Sequence, residues 1–155
     1  MNTTKAMMFV ADTMLGKLAK YLRIMGYDTF YQRSYPDQRL SELVKEGRIL
    51  LTRNRATATQ YSNSILVDHD LVKDQLKAVD NLLKLTRDRK EWFRRCIVCN
   101  SPLSKAKVET ARENVPDFVF FTHHERIVFC PICKRFYWPG THRVRMEERL
   151  NDWGY

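Results

Sequence analysis

Two cysteine pairs constrain this chain more than any other feature. Cys96 and Cys99 are separated by two residues, as are Cys130 and Cys133, and residues 100–129 lie between the pairs. These are all four cysteines of the sequence. A Cys-x-x-Cys segment turns on a tight knuckle, and two knuckles can set four thiolates around a tetrahedral ion at about 2.3 Å. The spacing predicts one Zn²⁺. Four sulfurs close the coordination sphere and leave no position for a substrate, so the expected role is structural. A small β-rich unit lacks a sufficient core, and the metal supplies folding energy. Two disulfides, a redox pair or an iron–sulfur centre would use the same residues. The N-terminus does not read as a signal peptide, because its apolar patch, Ala6 to Ala11, is short and runs straight into Asp12. A reducing compartment, and hence zinc, is the expectation.

The chain changes character near residue 90. Before it, short apolar runs alternate with amphipathic segments. Met7–Ala11 reads as a buried strand. Leu15, Leu18, Ala19, Leu22 and Met25 recur at helical spacing, and Gly26 ends that helix. Thr29–Tyr31, Arg48–Thr52 and Ser64–Val67 read as further strands. Asp37 is a plausible cap for a helix carrying Leu40, Leu43 and Val44, with Gly47 as its stop. A short helix over 55–61 and a longer one over 70–85 complete the series. This β-α-β-α-β-α-β-α order predicts an α/β fold: a parallel sheet with helices on both faces. After residue 90 the segments shorten and aromatics become frequent. Phe118–Phe121 and Arg126–Phe129 read as hairpin strands and Phe136–Trp138 as a third, followed by a helix from Arg143 to Leu150. The expected organisation is an α/β domain over 1–90 and a small β-rich zinc ribbon with a C-terminal helix over 91–155.

The chain carries 27 Lys and Arg against 18 Asp and Glu, a net charge of +9. Such an excess favours a polyanion through phosphate contacts and counterion release. The basic residues cluster. Residues 84–95 hold six positive and two negative charges beside Trp92 and Phe93, a combination suited to single-stranded or looped RNA. The alternative is a solvated helix end with the tryptophan packed inward. His123, His124 and His142 read as surface or RNA-contacting residues, since four sulfurs saturate the ion. No apolar run reaches the roughly 18 residues of a membrane span, so a soluble cytoplasmic protein with no membrane partner is expected.

Acidic and amide residues recur where strands end. Asp12 follows the first strand, Asp37 precedes the second helix, Asn54 follows the third strand, and Asp68 and Asp70 follow the fourth. In a parallel sheet such positions converge on one edge. Oxygen ligands of this kind suit Mg²⁺ or Mn²⁺, which can activate water for phosphodiester cleavage. Each residue taken singly reads first as a helix cap; it is their repetition at successive strand ends that favours the metal site, and Glu42 is less specific still.

The segments Phe9–Thr29 and Gly47–Arg53, the pair Gln75-Leu76, both cysteine pairs, and Tyr137–His142 with Arg145-Met146 together resemble the Mut-seven C-terminal RNase domain family. That family joins a PIN-like nuclease fold to a zinc ribbon, and the resemblance spans nearly the whole chain. It implies a metal-dependent ribonuclease with Asp12, Asp37 and Asp70 as ligands of Mg²⁺ or Mn²⁺ and Asn54 at the same site. Lys17, Arg53, Arg87, Arg89, Lys90, Arg94 and Arg95 would hold RNA. The family's third loop usually reads Thr-Arg-Asp, whereas this chain has Thr52-Arg53-Asn54. Asn offers a carbonyl oxygen but no charge, so the ion should be held less tightly. The alternative expectation is an RNA- or ribosome-binding factor with little or no catalysis; a PIN-type toxin is a third.

Overall fold

A computed structural model describes residues 6–155. The chain divides into two compact units, Met1–Asn100 and Ser101–Tyr155.

The first unit is built on four parallel strands, β1 (Met8–Ala11), β2 (Asp28–Tyr31), β3 (Ile49–Thr52) and β4 (Ser64–Leu66), in the order β2-β1-β3-β4. Parallel pairing buries both faces of the central strands, which explains their unbroken apolar runs. Val10 lies in register with Leu50, and both pack with Leu43 of helix α2 (Arg39–Lys45). Strand side chains alternate between faces, so Phe9, Ala11 and Leu51 turn the other way; all three are fully buried. Helix α1 (Gly16–Ile24) packs on β1 and β2, and α4 (Val72–Leu83) packs on α1. The short helix α3 (Arg55–Gln60) links β3 to β4. The parallel sheet with covering helices is the expected fold class. Gly26 ends α1 as foreseen. Its φ of 95° suits glycine, and a Cβ there would lie 2.6 Å from the Glu91 carbonyl oxygen.

Asp37 is not the cap of α2. That position belongs to Gln38, in left-handed backbone at φ 69° and with no side-chain cap bond. Asp37 is an exposed turn residue one step earlier.

The second unit has a three-stranded antiparallel sheet, β5 (Ser104–Lys105), β6 (Val128–Phe129) and β7 (Phe136–Tyr137). Helices α5 (Val108–Asn114), α6 (Asp117–His123) and α7 (Thr141–Asp152) complete it. Its core gathers Ala106, Ala111, Val115, Val119, Phe120 and Ile127, with Phe129, Phe136 and Trp138 packed against them. Phe118–Phe121 is therefore helical, contrary to the strand expected from the sequence. Pro116 stands at the N-cap position without a side-chain cap bond, and Asp117 lies in the first turn, an acidic N-terminal signal that the apolar run concealed. Strand β6 pairs with β5 and β7 instead.

Candidate functional site

The four cysteine sulfurs all lie within 4.8 Å of one another. A tetrahedron with metal–sulfur arms of about 2.3 Å has edges of about 3.8 Å, so this cluster has the size one Zn²⁺ requires. None of the four is in a disulfide, and Cys96 and Cys130 are buried. Both knuckles close alike. The Asn100 amide donates to the Cys96 carbonyl and the Lys134 amide to the Cys130 carbonyl, each at 2.9 Å. Asn100 and Lys134 both adopt left-handed backbone, at φ 71° and 61°. The Cys133 amide also donates to the Cys130 sulfur at 3.4 Å, which orders the second knuckle around that sulfur. Size, donor type and hydrogen bonding all fit the ion expected from the spacing. Among the described residues this is the only group of three or more His, Cys, Asp or Glu side chains near enough to hold a metal.

The first knuckle is stitched to the parallel sheet by a basic residue within α1. Arg23 is 5% exposed. Its Nε donates to the Thr29 carbonyl at 2.9 Å, and one terminal nitrogen donates to the carbonyls of Ile97 and Val98 at 3.1 Å each. Burial lowers its pKa, while the Cys96 and Cys99 sulfurs act in the opposite sense. Asn100 adds a second stitch. Its Oδ1 accepts from the Thr29 amide at 2.9 Å, and its Nδ2 donates to Asp28 at 2.7 Å. Asp28 also accepts from Arg48 at 2.7 Å, and Arg48 reaches the Phe9 carbonyl at 3.0 Å. Burial pushes the Asp28 carboxyl up, but the hydrogen bonds from Arg48 and Asn100 outweigh it and hold it below the ordinary value.

A different arrangement lies at the strand ends. The strand order reverses direction between β1 and β3, a switch point whose C-terminal side is where α/β sheets bind ligands. Asp12 stands there, directly after β1. Its Oδ1 accepts from the Thr13 amide and its Oδ2 from the Thr52 hydroxyl, both at 2.7 Å. Thr52 is fully buried, and its hydroxyl accepts from the Asn54 amide at 3.0 Å. The Asn54 Oδ1 accepts from the Thr57 amide at 3.0 Å, so this side chain caps α3. Asp70 is 90% exposed and pairs with Arg53 at 2.7 Å; Asp68 pairs with Arg55 at 2.9 Å. The structure thus joins Asp12 to the Thr52–Asn54 loop. It does not gather Asp12, Asp37 and Asp70 within common ligand reach.

The basic residues also have definite places. Lys17 is exposed on α1. Arg87 pairs with Asp80 at 3.2 Å, and the Arg89 guanidinium lies 5.0 Å from the ring centre of the buried Trp92. Arg94 donates to the Lys90 carbonyl at 2.7 Å. Arg95 donates to the carbonyls of Gly26 and Asn100, at 3.2 and 2.9 Å. Arg89, Lys90 and Arg94 remain exposed.

Sequence reading passed over Thr52, Tyr31, Tyr35, Arg23 and Asn100. One signal was available: in the amphipathic helix α1, Arg23 stands between Leu22 and Ile24 and four residues after Ala19, and a guanidinium buried there needs acceptors. Among the described residues no helix is long and apolar enough to cross a membrane. The model of a family described as Mut7-C RNAse domain matches residues 7–150. No curated protein matches the chain.

Proposed function

The chain belongs to the Mut7-C RNAse domain family, and from that membership we propose a ribonuclease that cleaves RNA phosphodiesters at the strand ends of its α/β unit. The family implies a nuclease-like role and RNA as the bound polymer. The observation that carries the finer reading is Asp12, a carboxylate fixed at the switch point by the Thr13 amide and the Thr52 hydroxyl. Each of its oxygens gives one acceptor site to these bonds and keeps another, which suits a hard divalent cation. Asp12 would hold Mg²⁺ or Mn²⁺; Asp37 and Asp70, which do not lie within common ligand reach of it, would join it only through a rearrangement in which Asp70 leaves Arg53 and the exposed turn at Asp37 moves inward. Such an ion, when bound, activates water and stabilises charge on the phosphoryl oxygens. Arg53 and Lys17 would bind the RNA backbone near Asp12, and Arg87, Arg89, Lys90 and Arg94 would extend that hold. Arg95 would support it from beneath, through its bonds to Gly26 and Asn100. The zinc would be structural, fixing the two knuckles. Four cysteines gathered as a metal cluster rather than spent in disulfides fit a cytoplasmic setting.

The test is cleavage of single-stranded and structured RNA with Mn²⁺, with and without EDTA. Turnover abolished by EDTA and by Asp12→Asn is the expected result. Absence of turnover, or an Asp12→Asn variant as active as the natural protein, refutes the enzyme.

One observation favours a second reading, an RNA- or ribosome-binding factor without catalysis. Asn54 spends its side-chain oxygen capping α3 and brings no charge to the site. Salt-sensitive RNA binding without turnover in the natural protein, and turnover gained by Asn54→Asp, would select it.

A further inference from the structure

The backbone on either side of Asp12 is held as firmly as its carboxylate. The Tyr35 hydroxyl donates to the Ala11 carbonyl at 2.6 Å, and the Tyr31 hydroxyl donates to the Thr13 carbonyl at 3.0 Å. The Asp12 amide donates to the Leu51 carbonyl at 2.9 Å, and its carbonyl accepts from the Leu15 amide at 2.9 Å. Gly16 makes room for one of these partners. A Cβ there would sit 2.8 Å from the Tyr31 hydroxyl oxygen, closer than the two atoms can approach. The Tyr35 hydroxyl in turn accepts from the Gln32 amide at 3.1 Å.

Thr52 completes the frame from β3. Its carbonyl accepts from the Val67 amide at 2.8 Å, which ties it to the end of β4. Its buried hydroxyl has one proton, and that proton goes to Asp12 because the Asn54 amide already donates to the same oxygen. The direction of the Thr52–Asp12 bond is therefore fixed by the loop that follows.

We infer that Thr52 is a positioning residue: it orients the Asp12 carboxylate, while Tyr31 and Tyr35 lock the backbone on either side. The inference rests on the proposed ribonuclease site, but its test does not depend on turnover. Thr52→Val removes the hydroxyl and keeps the branched shape; Thr52→Ser keeps the hydroxyl. Mn²⁺ binding by the full chain is read by electron paramagnetic resonance, beside kcat and KM for RNA cleavage and the melting temperature. Thr52→Val should weaken Mn²⁺ binding by about tenfold, the loss expected for one hydrogen bond to a charged group. It should lower kcat by a similar factor with KM within about twofold, on the same reasoning. Thr52→Ser should restore both.

If Thr52→Val proves too unstable to assay, Tyr35→Phe gives the same readouts with a smaller expected loss. Wild-type values in that variant then overturn the inference. So do a Thr52→Val protein that binds Mn²⁺ like the natural chain and a Thr52→Ser protein that fails to restore binding. A natural protein that binds no Mn²⁺ removes the inference together with the metal site. A natural protein that binds Mn²⁺, responds to Thr52→Val and cleaves no RNA refutes the ribonuclease alone.

Discussion

Replacing Arg23 by methionine tests how strongly the first cysteine knuckle is tied to the parallel sheet. The change removes three hydrogen bonds, to the carbonyls of Thr29, Ile97 and Val98. Bonds to a charged partner are worth about 1.5–3 kcal/mol each. Against that gross loss stands the relief of no longer burying a guanidinium, several kcal/mol by itself. A net destabilisation of about 3 kcal/mol remains, consistent with neutral carbonyls left unsatisfied at about 1–3 kcal/mol each. That is a factor of about 150 in the folding equilibrium. Two of the lost acceptors lie inside the Cys96–Cys99 loop, so the variant should also release Zn²⁺ faster to a competing chromogenic chelator. The assays are urea unfolding with zinc present and the rate of metal release. Arg23→Lys should fall between the two proteins, since a lysine cannot reproduce the guanidinium fork. A methionine variant within about 0.5 kcal/mol of the natural protein, the ordinary range for surface changes, and with unchanged zinc release would refute the reasoning.

The Asp28 carboxyl is held below its ordinary value, so its contribution to stability is present above the unfolded-chain pKa and is lost as pH falls through the lower folded value. Urea midpoints of the natural protein should therefore fall more steeply below about pH 4 than those of Asp28→Asn. Asn100→Ala and Asn100→Gly lose the same side-chain bonds, but only alanine adds strain at φ 71°. The alanine variant should be less stable by about 1 kcal/mol in the same titration. Gly26→Ala combines a φ of 95° with a Cβ driven against the Glu91 carbonyl, and thermal melts should show a loss of at least about 1–3 kcal/mol.

The parallel sheet was legible because its strands are unbroken apolar runs set between amphipathic helices, a pattern that only burial on two faces explains. The four-sulfur cluster was legible because ligand spacing is a local property of the chain. Phe118–Phe121 was misread because a four-residue apolar run has no measurable period. As a helix it buries Val119 and Phe120 and leaves Phe118 and Phe121 exposed, at 74% and 67%. Strand β5 and helix α5 escaped notice because they are short and largely polar. At the strand ends, the sequence located Asp12 but could not tell a cap from a ligand at Asn54. That distinction depends on where the Thr57 amide points. Thr52 carries no charge to draw attention, and its importance arises only once β1 and β3 lie side by side. Arg23 is similar, since two of its three acceptors, the Ile97 and Val98 carbonyls, come from a segment far along the chain.

That last separation has a consequence for synthesis. Two of the three carbonyls Arg23 holds are 74 and 75 residues further on, while all four parallel strands are complete by Leu66. A nascent chain emerging N-terminus first can pair its strands well before the 97–100 segment arrives to fasten β2. Cys96 and Cys99 then wait through residues 100–129 for their partners, roughly 2–6 seconds at ordinary elongation rates. During that interval the chain offers two of the cluster's four cysteines, half a coordination sphere, and is more open to oxidants and to the wrong metal than the completed four-sulfur group.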